Sequence, residues 1–390
     1  MFRISIALPL IALTLGACAS LPPPPSQCQR VELDPAPPWT ASVTWAPGEE
    51  ELVLVDPGSG ELAAYGRDGR RRHSAEIATT AGVDMSHPLR FERDGSGFAL
   101  VDRHQVLYLD RDLVLEETLE PATALEASEI SGISLNDAVL HRGRLFGYAD
   151  FIEKDPDPND NPEAEGTWHR GFVRLDPKRG ELEPLFELPI EGDGEYASYY
   201  IYDKRPYVTE LRGSRSGGIY VLRFTEPWSL HRVAGDELRP LASGSSDAEE
   251  KARGLFAWRG RLYVLTRGTE TVESEEEPTR PIPQVTDEHT RTVLLQAMEA
   301  LELGRHVWAL QEIDPRTGER LRRLELPTSA ARLTLVPGGN LWAAIEETAA
   351  PNLGEGEGEG EGEGGSRTTL VLWPASEFEA GRFTCQPLEP

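Results

Sequence analysis

The feature that most constrains this fold is internal repetition. A turn-rich unit recurs along the chain: a short alternating apolar strand, a tight connection, a second strand, and often a D-x-x-x-G turn. "ASVTWAPGEEELVLVDPGSGELAAYGRDG" is the first copy and "PLRFERDGSGFALVDRHQVLYLDRDLVLEE" the second. The third joins "GISLNDAVLHRGRLFGYADF" to "WHRGFVRLDPKRGELEPLFELP" across an interruption, and the fourth reads "YASYYIYDKRPYVTELRGSRSGGIYVLRFTEPWSLHRVA". The fifth joins "ARGLFAWRGRLYVLTRG" to "RHVWALQEIDPRTGERLRRLELP", and the sixth "ARLTLVPGGNLWAAIEE" to "TTLVLWPASEFEAGRFTCQP". Period-two patterning, as in Leu145, Gly147 and Ala149 or Leu262 and Val264, places alternate side chains on opposite faces of strands. Turn signals such as "PGG", "RGR" and "PRTGE" separate the strands, and helical periodicity is nearly absent.

Units of this kind cannot bury both faces alone, so they must pack on one another. Six four-stranded units predict an all-β chain, a six-bladed β-propeller of antiparallel blades. A tandem of two-sheet sandwiches is the alternative. The rhythm, clearest in "WAPG…LVLVD", resembles the NHL- and TolB-like propellers. That resemblance covers most of the chain and implies a ring whose termini meet. "CQRVEL" is placed to complete the last blade beside "GRFTCQP", which predicts a disulfide between Cys28 and Cys385. Two free thiols are the other reading. The propeller is assigned to residues 28–390 as a single domain.

Three insertions interrupt the repeat, near residues 153–167, 268–304 and 347–366, the last containing "GEGEGEGEGEGG". If the strands of each blade are A to D from the axis outward, each insertion joins strand B to strand C. All three then emerge on one rim, where loops on a rigid scaffold commonly carry function. The second contains the one strong helix signal: Thr286 or Asp287 caps it, Leu294, Met298 and Leu301 share a face, and Gly304 ends it.

The N-terminus gives an address. Arg3 precedes the apolar run Ile4 to Leu15, too short for a comfortable membrane span and followed by small residues, as in a secretory signal. Leu15-Gly16-Ala17-Cys18 resembles the lipobox of bacterial lipoproteins. The resemblance implies removal of residues 1–17, acylation of Cys18, and a lipid anchor in the cell envelope; Ala19 in the next position favours the outer membrane. Several acyl chains, at about 0.8 kcal/mol per buried methylene, make a stable anchor. An ordinary signal peptide with an incidental cysteine is the alternative. Residues 18–27, with "PPPP", form an extended tether.

The net charge is −27, with 66 acidic against 39 basic residues. A field of this sign disfavours nucleic acid and anionic lipid surfaces, so no nucleic-acid partner is expected, and it suits a soluble body, cationic partners or divalent metal. Asp155, Asp157 and Asn159 have the spacing of the first ligands of an EF-hand loop, but Asp160 stands where the turn glycine belongs and Gly166 where the bidentate glutamate belongs. A looser calcium site is one reading of these oxygen ligands, and a proline-stiffened, disordered acidic loop is the other. No nucleophile elbow, phosphate loop, dinucleotide fingerprint, H-E-x-x-H or CxxC is present, and the eight histidines are scattered.

Glu129, Ser131, Gly132, Leu145 and Asp150 match a stretch of phytase-like and SdiA-regulated propellers. This one-blade resemblance implies a propeller hydrolase using carboxylates, with calcium, at the channel mouth. The other metal ligands of that family have no match here. On the rim of the insertions, Asp150, Glu210, Arg212, Arg267 and Glu346 are expected to end or follow B strands, Arg253 and Arg332 to begin A strands, and Tyr199 and Tyr200 to add an aromatic wall. Such a ring binds a polar ligand or forms ion pairs between blades. The reading is an exported, lipid-anchored binding or assembly module, for a small polar ligand or an envelope protein, rather than an enzyme; the hydrolase is the alternative.

Overall fold

A computed structural model describes residues 27–387 apart from 38–41, 47–49, 57–59, 78–89, 95–96, 102–104, 126–129, 142–143, 155–166, 177–178, 188–206, 212–216, 224–226, 236, 246–249, 271–304, 329, 349–366 and 384. The strands form six sheets, antiparallel except for the outermost pair of the sixth, and each sheet is a blade. Blade I comprises β2 (Ser42–Trp45), β3 (Glu51–Asp56), β4 (Glu61–Gly66) and β5 (Arg71–Glu76). Blade II comprises β6 (Arg90–Asp94), β7 (Gly97–Val101), β8 (Val106–Leu109) and β9 (Leu115–Leu119). Blade III comprises β10 (Ile130–His141), β11 (Arg144–Glu153), β12 (Thr167–Asp176) and β13 (Glu181–Glu187). Blade IV comprises β14 (Tyr207–Leu211), β15 (Gly218–Arg223), β16 (Ser229–Ala234) and β17 (Glu237–Ser243). Blade V comprises β18 (Lys251–Trp258), β19 (Arg261–Glu270), β20 (Arg305–Ile313) and β21 (Arg320–Leu326). Blade VI comprises β22 (Arg332–Pro337), β23 (Leu341–Thr348) and β24 (Arg367–Pro374), completed by β1 (Cys28–Glu32) and, outside it, β25 (Cys385–Pro387).

The ring is closed. The first strands of successive blades touch one another all the way round, including β22 against β2. The apolar core divides into clusters between neighbouring blades, and alternation along the strands explains how. In β3, Val53 and Val55 face blade II, while Leu52 and Leu54 face blade VI. In β19, Leu262 and Val264 face blade IV, while Tyr263 and Leu265 face blade VI. Such strands are apolar on both faces because both faces are buried, whereas outer strands such as β5 and β17 are mostly exposed.

Closure uses both ends of the chain. β1 pairs antiparallel with β24, and β25 pairs parallel with β1, with Cys28 opposite Cys385. A disulfide joins these two cysteines, whose Cα atoms are 4.4 Å apart. The sixth sheet is thus five-stranded, with the N-terminal strand between strands from the C-terminal end. The interface between blades V and VI is aromatic: Trp342 stacks on Phe378 with centroids 4.5 Å apart, and Trp258 meets Trp342 edge-on at 5.3 Å.

The turn signals are realised. In "DPRTG", the Asp314 carboxylate accepts from the Arg316 and Thr317 amides at 2.8 and 3.2 Å, and Gly318 closes the turn at φ +74°. The Arg316 amide is the main reason that the Asp314 carboxyl is held below its ordinary pKa. Two helical turns were not foreseen, Pro121–Ala124 and Ala375–Glu379. The second carries buried Phe378 into the closing blade. The helix expected near Thr286 to Gly304 lies outside the described residues. Among the described residues, no helix is long and apolar enough to cross a membrane.

Blade IV departs from the sequence reading by one strand. Glu210 is expected to end or follow a second strand, but β14, which carries it, is the first strand of its sheet and lies beside β10 and β18. The fourth strand is supplied instead by β17. Gly235, at φ +66°, turns the chain between Ala234 and Glu237 and makes "LHRVAGDELRPL" a hairpin.

Candidate functional site: the rim of the long connections

The strand ends place all three insertions. β11 ends at Glu153 and β12 starts at Thr167; β19 ends at Glu270 and β20 starts at Arg305; β23 ends at Thr348 and β24 starts at Arg367. Each insertion therefore joins the second and third strands of its blade and leaves on the rim opposite the A–B hairpins. First strands begin at this rim, so Lys251, Arg253 and Arg332 start there beside the ends of β19 and β23.

The predicted rim residues divide. Asp150 lies near the end of β11 and accepts a hydrogen bond of 2.5 Å from Arg170 Nε on the adjacent strand. Arg267 lies near the end of β19, with its guanidinium carbon 5.9 Å from the Trp308 ring centroid. Arg332 approaches Glu347 at 3.6 Å. Arg253 is the extra residue of a β-bulge between Ala252 and Gly254. Bulges re-aim side chains and are favoured beside binding sites.

Two predicted residues are elsewhere. Glu210 belongs to a first strand and meets His141, the last residue of β10, at 2.6 Å; both therefore lie toward the A–B rim. The cause is the one-strand shift of blade IV. Glu346 is on the correct strand but is buried, with 1% of its surface exposed. It follows Trp342 and Ala344 in alternation, so it faces blade V and not solvent. Arg30 of the closing strand pairs with it. Burial is the main effect on its carboxyl and raises its pKa, opposed by Arg30 and then by Thr328. Arg212, Tyr199, Tyr200, Asp155, Asp157, Asn159 and Cys18 lie outside the described residues.

The structure adds residues that the sequence did not single out. Trp168 at the start of β12 is 55% exposed and pairs with Ile152, which gives the rim an aromatic group on blade III. His306 opens β20 opposite Thr269. Burial lowers its pKa, and Arg267 and Arg253 lower it further. A histidine isolated in sequence carries no signal of neighbours supplied by two other strands. Among the described residues, no group of three or more His, Cys, Asp or Glu is placed to hold a metal ion.

No family model matches this sequence, and no curated protein does. Solved structures resemble its fold. A luciferin-regenerating enzyme aligns at 11% identity and TM-score 0.46, over 88% of this chain and 94% of its own. A member of the DUF4221 family from Bacteroides vulgatus aligns at 10% identity and TM-score 0.47, over 89% and 96%. A calcium-binding protein, regucalcin, from Agrobacterium tumefaciens aligns at 11% identity and TM-score 0.42, over 93% and 97%.

Proposed function

We propose that this chain is an exported, lipid-anchored binding module whose small polar ligand or envelope protein partner meets the rim of the long connections. The observation that carries the reading is the common exit of three insertions on that rim, between β11 and β12, β19 and β20, and β23 and β24. Insertions tolerated only for want of selection have no reason to choose one rim; loops that build a binding surface do. Mixed charge from Asp150, Arg170, Arg253, Arg267 and Arg332, with the exposed Trp168, supports recognition of a polar molecule.

The anchor belongs to the same reading. Cys18 carries the lipid, residues 18–27 form the spacer, and the outer membrane is the favoured site. Replacing Cys18 by Ser, with export supplied by another signal, releases the protein from membranes; continued acyl labelling contradicts the anchor.

The binding reading is tested by melting the full chain against a panel of small polar molecules, with calcium included. At least one compound class raises the melting temperature by linkage. Asp150→Asn or Arg267→Gln reduces that rise, and Glu210→Gln on the other rim does not. A panel without stabilisers, or stabilisation indifferent to the rim variants, contradicts the reading.

A further inference from the structure

We infer that Arg253, Arg267 and His306 form an anion site on blade V, suited to a small molecule bearing a carboxylate or phosphate. The inference rests on the rim being the binding face and names the chemistry of its ligand.

Three adjacent strands supply the groups. Arg267 on β19 pairs in register with Lys251 of β18 and Trp308 of β20. His306 precedes Trp308 by two residues and shares its face of the sheet, the face toward blade VI. Arg253 occupies the bulge of β18, between the pairs Ala252–Thr266 and Gly254–Leu265. At a strand spacing of about 4.8 Å the three strands span about 10 Å across the sheet, and His306, opposite Thr269, is offset from Arg253 along the strands, so the long arginine side chains bridge the distance.

The cluster is costly as it stands. Arg253 Nε and His306 Nδ1 are both buried, and neither meets a hydrogen-bond partner among the described residues. Buried polar atoms without hydrogen-bond partners destabilise a fold. The charges that act on His306 are those of Arg267 and Arg253, with no carboxylate among them. This occurs in a chain of net charge −27, where carboxylates are abundant. On the same rim, Arg170 and Arg332 have carboxylate partners in Asp150 and Glu347. A bound anion accepts from Arg253 Nε and from the N–H of the His306 ring, and the Arg267 guanidinium adds to the field. Perturbed groups gathered beside a bulge at a loop-bearing rim are the arrangement expected of a ligand site.

The test is calorimetric titration of the full chain with citrate and, separately, inorganic phosphate at constant ionic strength. Saturable binding of at least one anion is expected, and the better of the two decides between polycarboxylate and phosphate. Arg253→Gln and His306→Gln each weaken it about tenfold, the worth of one charge-assisted hydrogen bond. Arg253→Lys keeps part of the affinity and serves in place of a variant that does not fold. Arg239→Gln, on exposed β17, changes nothing. Absence of saturable binding by both anions, or equal loss in Arg253→Gln and Arg239→Gln, overturns the inference. If anions fail while a neutral or cationic compound still depends on Asp150, only the anion site falls; if no compound senses the rim, the binding reading falls with it.

Discussion

A carboxylate at Glu346 has little contact with water and one cation, Arg30, for company. Because burial raises its pKa in the folded state, ionisation favours the unfolded chain. The sign follows: its contribution is most favourable below the unfolded pKa and is lost as pH rises through the raised value. Glu346→Gln is therefore expected to gain stability relative to the parent between acid and neutral pH, read as a difference in melting temperature that grows with pH. A difference that shrinks contradicts the burial account. Tyr263 behaves alike at the alkaline end. Burial first, then Glu312, pushes its pKa to about 12. Stability is lost as pH climbs through the ordinary tyrosine range toward 12, and Tyr263→Phe removes that loss. At this scale the sequence was only partly legible. It marked Asp150, Arg253 and Arg267 as rim residues. It did not separate Glu346 from them, because its burial depends on the neighbouring blade. Nor did it mark His306, whose neighbours come from other strands.

Single elements of the blades were more readable, since turns and alternation are local. The D-x-x-x-G signal became the Asp314–Gly318 turn, and its Pro315 carbonyl accepts a hydrogen bond from Tyr220 of blade IV at 3.3 Å. A Cβ on Gly318 would stand 1.8 Å from the Leu241 carbonyl oxygen of blade IV, at a φ that favours glycine. Gly318→Ala is expected to cost about 2–3 kcal/mol in denaturant unfolding. Trp342 is fully buried and stacks on Phe378, so Trp342→Ala is expected to cost about 3–5 kcal/mol. A loss below about 1 kcal/mol contradicts the packing of blade VI described here. Blade IV shows where local reading fails. The sequence places Glu210 at the end of a second strand, while the hairpin at Gly235 supplies the fourth strand and leaves β14 as the first. Periodicity identifies a strand but does not number it within its sheet.

The molecule as a whole was the most legible level, because a repeat and a pair of distant cysteines constrain the same ring. The disulfide spans 357 residues, and closing so long a loop is worth at most about 6 kcal/mol by chain entropy. Non-reducing peptide mapping is expected to show Cys28 linked to Cys385; two alkylatable thiols contradict the staple. The insertions were readable in position, since each interrupts the repeat after a second strand. That common rim is the basis of the binding account. It is tested most directly by hydrogen exchange of the full chain with and without a stabilising compound from the panel. Slowed exchange is expected at the ends of β11, β19 and β23 and at the start of β20. Protection confined to the A–B hairpins, around His141, Trp258 and Pro337, would contradict it.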